Sequence, residues 1–435
     1  MSARVFTGQR RAVRWHAMPA LAMGGATALA IAAAGLMSAR ADVVVAALPL
    51  ALWTTIAARA PSARGAPRIE LSAEGGQADA DIQARIVVDD QTAADVVQLC
   101  VTLGGKHRRT VEVAPRGGVV QIRSRLLHSG PGELVGVTAR LLRMDGAWAS
   151  THADGGRVVW LAAPRVRRIP ALPLPARLRG LHGSYEGARP GPGGEFRDID
   201  AFAPGDELRR VDWRATARLA RRPGDLFVRR TNTLSDASVV LVLDTADELG
   251  RSVATWGTGD PELSGTTSLD LAREAAASIA AAAIRAGDRV ALHELHPAGR
   301  SLRGAAGPRQ LSRIVSVLAA LDAEREEPAQ RRVVPVPVGS IVYLLSPFLS
   351  GAAEPALLWR ASGYRVVAID TLPILDAAGL SPDQRTALRL LVAERRDVLR
   401  ELARVGVEVV AWAPDADAAA AALHGVAVRA ARGAR

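Results

Sequence analysis

The chain opens on two uncharged apolar runs, 17–39 and 43–58, separated only by Arg40 and Asp42. The first is long enough to cross a hydrocarbon core of ~30 Å at ~1.5 Å per residue. The second is short for a span and calls on Trp53 and Arg59 as interface anchors. Arg4, Arg10, Arg11 and Arg14 precede the pair, and Arg59, Arg64 and Arg68 follow it. Positive charge at both outer ends predicts a basic stretch at 1–16 and a transmembrane helical hairpin over 17–58, with both ends cytoplasmic. The rival reading is a cleaved signal, with Arg10-Arg11 as its twin arginine and Ala39-Arg40-Ala41 as its cleavage site. An arginine inside the cleavage motif and a second apolar run directly after it speak against that reading.

From 68 to 164 the pattern becomes short alternating runs. Ile82, Ala84 and Ile86 alternate with Gln83 and Arg85; Val97, Leu99, Val101 and Leu103 form another one-sided set. Further runs at 110–113, 119–123, 134–142 and 158–162 are divided by turn signals such as Gly104-Gly105, Gly117-Gly118 and Gly155-Gly156. This spacing predicts a small β-sandwich of the kind that carries interactions. A linker with Pro170, Pro173 and Pro175 follows, held extended by proline and solvated by Arg165, Arg167 and Arg168.

Beyond 238, apolar strands alternate with helical stretches. Strands are expected at 239–243, 290–295, 341–345, 366–369 and 407–412, and helices at 268–286, 310–321, 357–361, from 382 to Gly406, and to about His424. Thr267 with Asp270, and Ser381 with Gln384, have capping-box spacing. Wholly apolar strands in this alternation predict a C-terminal α/β doubly wound domain over 238–435, its parallel sheet covered on both faces. Ligands of such sheets lie at the carboxyl ends of strands, where Asp244 stands.

Composition removes whole classes of function. Lys106 is the only lysine and lies in Gly104-Gly105-Lys106-His107, so the chain has no Walker A loop and any nucleotide-driven work must come from a partner. Cys100 is the only cysteine, which leaves no disulfide and no cysteine-built metal centre within one chain. The formal charge is +11, but 44 acidic residues are dispersed among the arginines and aromatic residues are only 4%, so no nucleic-acid partner is expected.

The segment ahead of the C-terminal domain is the most informative. It reads Gly180-Leu181-His182-Gly183-Ser184 and Gly187, then Gly193-Gly194-Glu195-Phe196-Arg197-Asp198. Phe202 and Pro204-Gly205-Asp206 follow, then Arg209-Arg210-Val211-Asp212-Trp213-Arg214-Ala215-Thr216-Ala217-Arg218. It resembles the signature of the family called domain of unknown function 58, with Val211 in place of isoleucine and Asp198-Ile199 where a tyrosine-containing step is common. The resemblance implies two N-terminal membrane segments, a β-rich region and a C-terminal von Willebrand factor A-like domain. It also implies pairing with a MoxR-type AAA+ ATPase. The expected interaction residues are Gly194, Glu195, Phe196, Gly205, Asp206, Arg209, Asp212, Trp213 and Arg218. Three readings of the segment are open: an internal ion-pair network with Trp213 as a stacking face for an arginine, a docking surface for a partner, or a catalytic carboxylate at Asp206 or Asp212.

A von Willebrand A domain often holds magnesium through Asp-x-Ser-x-Ser. Here the stretch is Asp244-Thr245-Ala246-Asp247-Glu248, and the fourth strand ends Ser346-Pro347, so only Asp244 survives of a degenerate site and no metal or other cofactor is expected. His293-Glu294-Leu295-His296 lacks zincin spacing, Gly191-Pro192-Gly193-Gly194 follows no strand, and Cys100 is expected buried and inert. No nucleophile elbow occurs. The expected protein is a non-enzymatic adaptor in the cell membrane, multi-pass with cytoplasmic domains, that serves a MoxR-type ATPase acting on an envelope-associated client. The alternative is a metal-dependent ligand-binding module facing outward.

Overall fold

The computed structural model describes the chain except residues 1, 7–11, 60, 62–64, 66, 76–80, 90–93, 105–106, 126, 174–184, 191–195, 204–205, 236, 257–263, 324–333, 350, 413–415 and 434–435. The chain divides into two compact units. One is Met1–Leu127 with Pro131–Ala162; the other is His128–Gly130 with Ala163–Arg435.

In the first unit the leading apolar run forms the helix Pro19–Met37, mean hydropathy 1.8, which is long and apolar enough to cross a membrane. The second run, expected as one span, forms two helices, Ala41–Ala46 and Leu48–Ala57. Pro49 explains the break, since it has no N–H and its ring collides with the carbonyl four residues back. Both pack on the first helix through glycine. A Cβ on Gly24 would stand 2.8 Å from the Trp53 ring, and one on Gly35 2.7 Å from a Val44 methyl. Met23, Leu29, Leu36, Met37, Val45, Leu48, Leu52 and Ile56 point outward, the reverse of a soluble core helix.

The β region of this unit holds two sheets. One has the order Arg68–Gly75, Asp81–Asp89, Arg116–Arg125. The other runs Ser2–Phe6, Ala153–Ala162, Gly130–Arg143, Val96–Leu103, His107–Val113, with Trp15–Ala17 and Trp148–Ser150 added at one side. Ile82, Ile86 and Val88 of the first sheet share one core with Val97, Leu99, Leu141 and Val158 of the second. Two findings depart from the sequence reading. The basic stretch at 1–16 contributes two strands to the larger sheet, and Cys100 is half-buried.

The second unit is built on a six-stranded sheet. Its order is Ser301–Ala305, Arg289–Glu294, Ser238–Leu243, Ser340–Ser346, Arg365–Asp370, Glu408–Ala411, which in sequence terms is 3-2-1-4-5-6. All neighbours are parallel except Ser301–Ala305, an antiparallel edge strand absent from the expected set. Alternation sorts the central strand between two cores. Val239, Leu241 and Leu243 face the core built with the helices Ser268–Arg285, Pro308–Leu318 and Ala416–Gly433. Val240 and Val242 face the core built with Ala353–Ala361 and Pro382–Arg404. Both capping boxes form as the spacing predicts. The proline stretch is less solvated than expected: Ile169 is 1% exposed in the main core, and Arg167 Nε meets Glu274 Oε1 at 2.7 Å.

Candidate functional site

The signature segment folds as a small module of the second unit. Phe227–Ser235 is the centre of a three-stranded antiparallel sheet flanked by Tyr185–Pro190 and Phe196–Ala201. A single 3-10 turn, Leu208–Arg210, leads to the short helix Trp213–Leu219. Asp212 is the N-cap of that helix: its Oδ1 accepts the Arg214 N–H at 3.0 Å and the Ala215 N–H at 2.9 Å. Val211 bridges to Val228 and the Phe227 N–H donates to Thr216 Oγ1 at 3.0 Å, which seats the helix on the central strand.

The carboxylates therefore do local work. Asp206 Oδ2 accepts the Ala203 N–H at 2.9 Å and lies 3.5 Å from Arg230, which also meets Asp200 at 2.5 Å. Among the described residues the module's ion pairs centre on Arg230 and Glu207. Glu207 takes Arg209 at 2.6 Å and Arg210 at 3.3 Å, and the Arg209 hydrogen bond holds its carboxyl below the ordinary range. Among the described residues the module's cation–π contact is Arg229 over Phe196, at 5.2 Å, and Trp213 takes part in none.

What the module leaves outside is apolar and basic. Trp213 is 70% exposed and Leu208 68%, with Phe196 half-exposed. Buried Ala215 marks the seated face of the helix; at 100° per residue Trp213 points the opposite way. Arg209, Arg214 and Arg218 are exposed near it in sequence, and among the described residues Arg214 and Arg218 have no carboxylate partner. Of the expected interaction residues, Phe196, Asp206, Arg209, Asp212, Trp213 and Arg218 are gathered in this module. Gly194, Glu195 and Gly205 lie outside the described residues.

A second candidate lies where the strand order reverses, between Ser238–Leu243 and Ser340–Ser346, the usual ligand position of a doubly wound sheet. Register sets Asp244 beside Ser346 and Ser346 beside Asp370. Asp244 is buried, and its Oδ2 accepts the Ser346 hydroxyl at 2.7 Å. The Phe348 N–H donates to the same hydroxyl oxygen at 2.9 Å, helping to hold Phe348 at φ 55°, an uncommon region for a bulky residue. Asp370 is ion-paired to Arg395, whose Nε donates to the Pro347 carbonyl at 2.6 Å. Both strand-end carboxylates thus have partners. Among the described residues no three of His, Cys, Asp and Glu gather as a metal site. Asp244 also receives the Ala246 N–H at 3.3 Å, the loop-capping role open to any strand-end aspartate.

Sequence reasoning missed one cluster. His128 Nδ1 lies 2.6 Å from Asp270 Oδ2, and Ser129 donates to Asp270 Oδ1 through its N–H at 2.8 Å and its hydroxyl at 2.9 Å. Ser264 Oγ lies 3.5 Å from His128 Nε2, giving a hydroxyl–imidazole–carboxylate line. Asp270 is also the reciprocal member of the capping box, so this line locks residues 128–130 to the helix Ser268–Arg285. The buried Arg273 completes the lock by donating to the Ser129 carbonyl at 2.6 Å. The partners are 142 residues apart in sequence, and only the capping-box half was visible there.

Residues 198–378 match the model of the family described as "Protein of unknown function DUF58". No curated protein matches the chain. Among solved structures, the chain is matched to a carbohydrate esterase family 2 enzyme with its carbohydrate-binding domain from Corynascus thermopiles (Myceliophthora fergusii). That match has 11% identity and a TM-score of 0.20, covering 83% of this chain and 99% of that one, a likeness too low to inform fold or function.

Proposed function

We propose that the chain is a membrane-anchored, non-enzymatic adaptor whose signature module docks a MoxR-type AAA+ ATPase, which then acts on an envelope-associated client. The observation that carries the reading is the exposed Trp213 with Leu208, in a segment that also exposes Arg209, Arg214 and Arg218. A tryptophan anchor among arginines is the composition of an interface hot spot, and the guanidiniums of Arg214 and Arg218, without a carboxylate among the described residues, favour an acidic partner surface. Trp213 leaves most of its ring in solvent from a helix of only seven residues.

The second unit reads best as von Willebrand factor A-like. What supports this is the 3-2-1-4-5-6 order with an antiparallel third strand, together with the lack of any dinucleotide fingerprint. The first unit reads as a multi-pass anchor. Strands on both sides of the apolar helices, Trp15–Ala17 before and Trp148–Ser150 after, pair in one sheet, so a chain that enters the bilayer returns to the side it left. The arginines at that side favour a cytoplasmic location for the sheet. The test is affinity capture from native membranes after crosslinking. An AAA+ ATPase recovered with the chain supports the reading, and repeated recovery of clients without any ATPase overturns it.

A further inference from the structure

The two ends of the apolar helices are fastened to one short β-hairpin of the first unit. The Met18 N–H donates to the Ala147 carbonyl at 2.9 Å, and Trp148 Nε1 donates to the Ala57 carbonyl at 2.6 Å. Ala57 is in the last helical turn, whose carbonyls lack intrahelical donors, so the indole answers a need created by the helix end. Register sets Ala17 opposite Trp148 and Trp148 opposite Arg143, which makes one row across three strands at the foot of both helices.

Three arginines stand in this row or next to it in sequence. Arg143 is in it, Arg59 follows Ala57 by two residues, and Arg14 sits one residue before Trp15 with its backbone N–H on Thr151 Oγ1 at 3.1 Å. Among the described residues none of the three is ion-paired to a carboxylate. The opposite end of the helices differs, because Arg40 there is held by Asp42 at 2.6 Å. Arg140 at the foot is also engaged, with Nη2 on His16 Nε2 at 2.9 Å and Nε on the Ser150 carbonyl at 3.3 Å. Two carboxylates share the neighbourhood: Asp95 accepts the Met144 N–H, and Asp145 is exposed in the turn.

We infer that this foot lies in the headgroup layer and that Arg14, Arg59 and Arg143 hold anionic phospholipid headgroups. The inference rests on the membrane anchor proposed above and adds to it a ligand class. A half-buried tryptophan with its N–H satisfied and its ring at the foot of apolar helices has interface chemistry. Guanidiniums without protein partners at the same level match phosphate oxygens in geometry and charge.

The test uses the full chain reconstituted into vesicles of phosphatidylcholine alone or with one third phosphatidylglycerol, at low and high salt. Insertion is scored by resistance to alkaline carbonate, and lipid preference by the enrichment of phosphatidylglycerol around the purified protein. Wild type is expected to insert in both vesicles and to enrich phosphatidylglycerol in a salt-sensitive way. Enrichment should fall about fivefold for each of Arg14→Gln, Arg59→Gln and Arg143→Gln, with insertion kept. Insertion without enrichment, or enrichment that the triple variant retains, overturns the headgroup site and leaves the anchor standing. A chain that carbonate strips from both vesicles overturns the anchor itself.

Discussion

Asp212 and Trp213 are adjacent in sequence and opposite in consequence. Asp212 satisfies two N–H groups at the start of a helix, whereas Trp213 projects from it. Losing such a cap costs about 1 kcal/mol, while truncating an exposed side chain stays within about 0.5 kcal/mol. Asp212→Ala should therefore lower the denaturation midpoint measurably and Trp213→Ala should not. Partner capture should respond in the reverse way, falling with Trp213→Ala at unchanged folded abundance. Equal effects of both substitutions on stability would place Trp213 in the scaffold. The motif shows that the two residues belong together; only exposure separates their roles.

At the scale of elements, legibility followed locality. The capping boxes Thr267–Asp270 and Ser381–Gln384 were readable because each is complete within four residues. The edge strand Ser301–Ala305 was not, because SLRGA has neither apolar alternation nor β-branching and is ordered by its neighbour. The strand Ser2–Phe6 was hidden likewise by a charge pattern that reads as a basic leader. The Asp270 lock lay beyond local reading, since its partners come from residues 128 and 129.

That lock has a defined pH signature. Burial opposes ionisation of Asp270, but the His128 hydrogen bond and charge, the Thr267 N–H and Ser129 outweigh it and hold the carboxyl below its ordinary value of 3.8. A carboxyl depressed on folding adds stability above the unfolded value and loses it as pH falls through the folded one. The melting-temperature gap between wild type and Asp270→Asn should shrink as pH falls below about 4, through the folded value of the carboxyl. A gap that widens on acidification would contradict the arrangement.

For the whole molecule, the apolar surface is divided by purpose. Two cores clamp the six-stranded sheet, a third joins the two sheets of the first unit, and among the apolar side chains left outside, two sets have opposite surroundings. Those on the helices 19–57 form a continuous sleeve, the pattern that lipid covers. Those of the signature module, Trp213 and Leu208, are few and share their segment with exposed arginines, the composition that the proposed docking calls on. Both were partly legible in the sequence, one as uncharged runs and the other as a family motif. The sequence held no sign that Trp213 is bare, because exposure is a property of the packed module.

Docking through Trp213 is tested most directly by what touches position 213. A photo-crosslinking amino acid placed there in the full chain, irradiated in native membranes, should yield a covalent adduct with an AAA+ ATPase subunit. Adducts confined to the chain itself or to lipid, with the ATPase present in the same membranes, would contradict it.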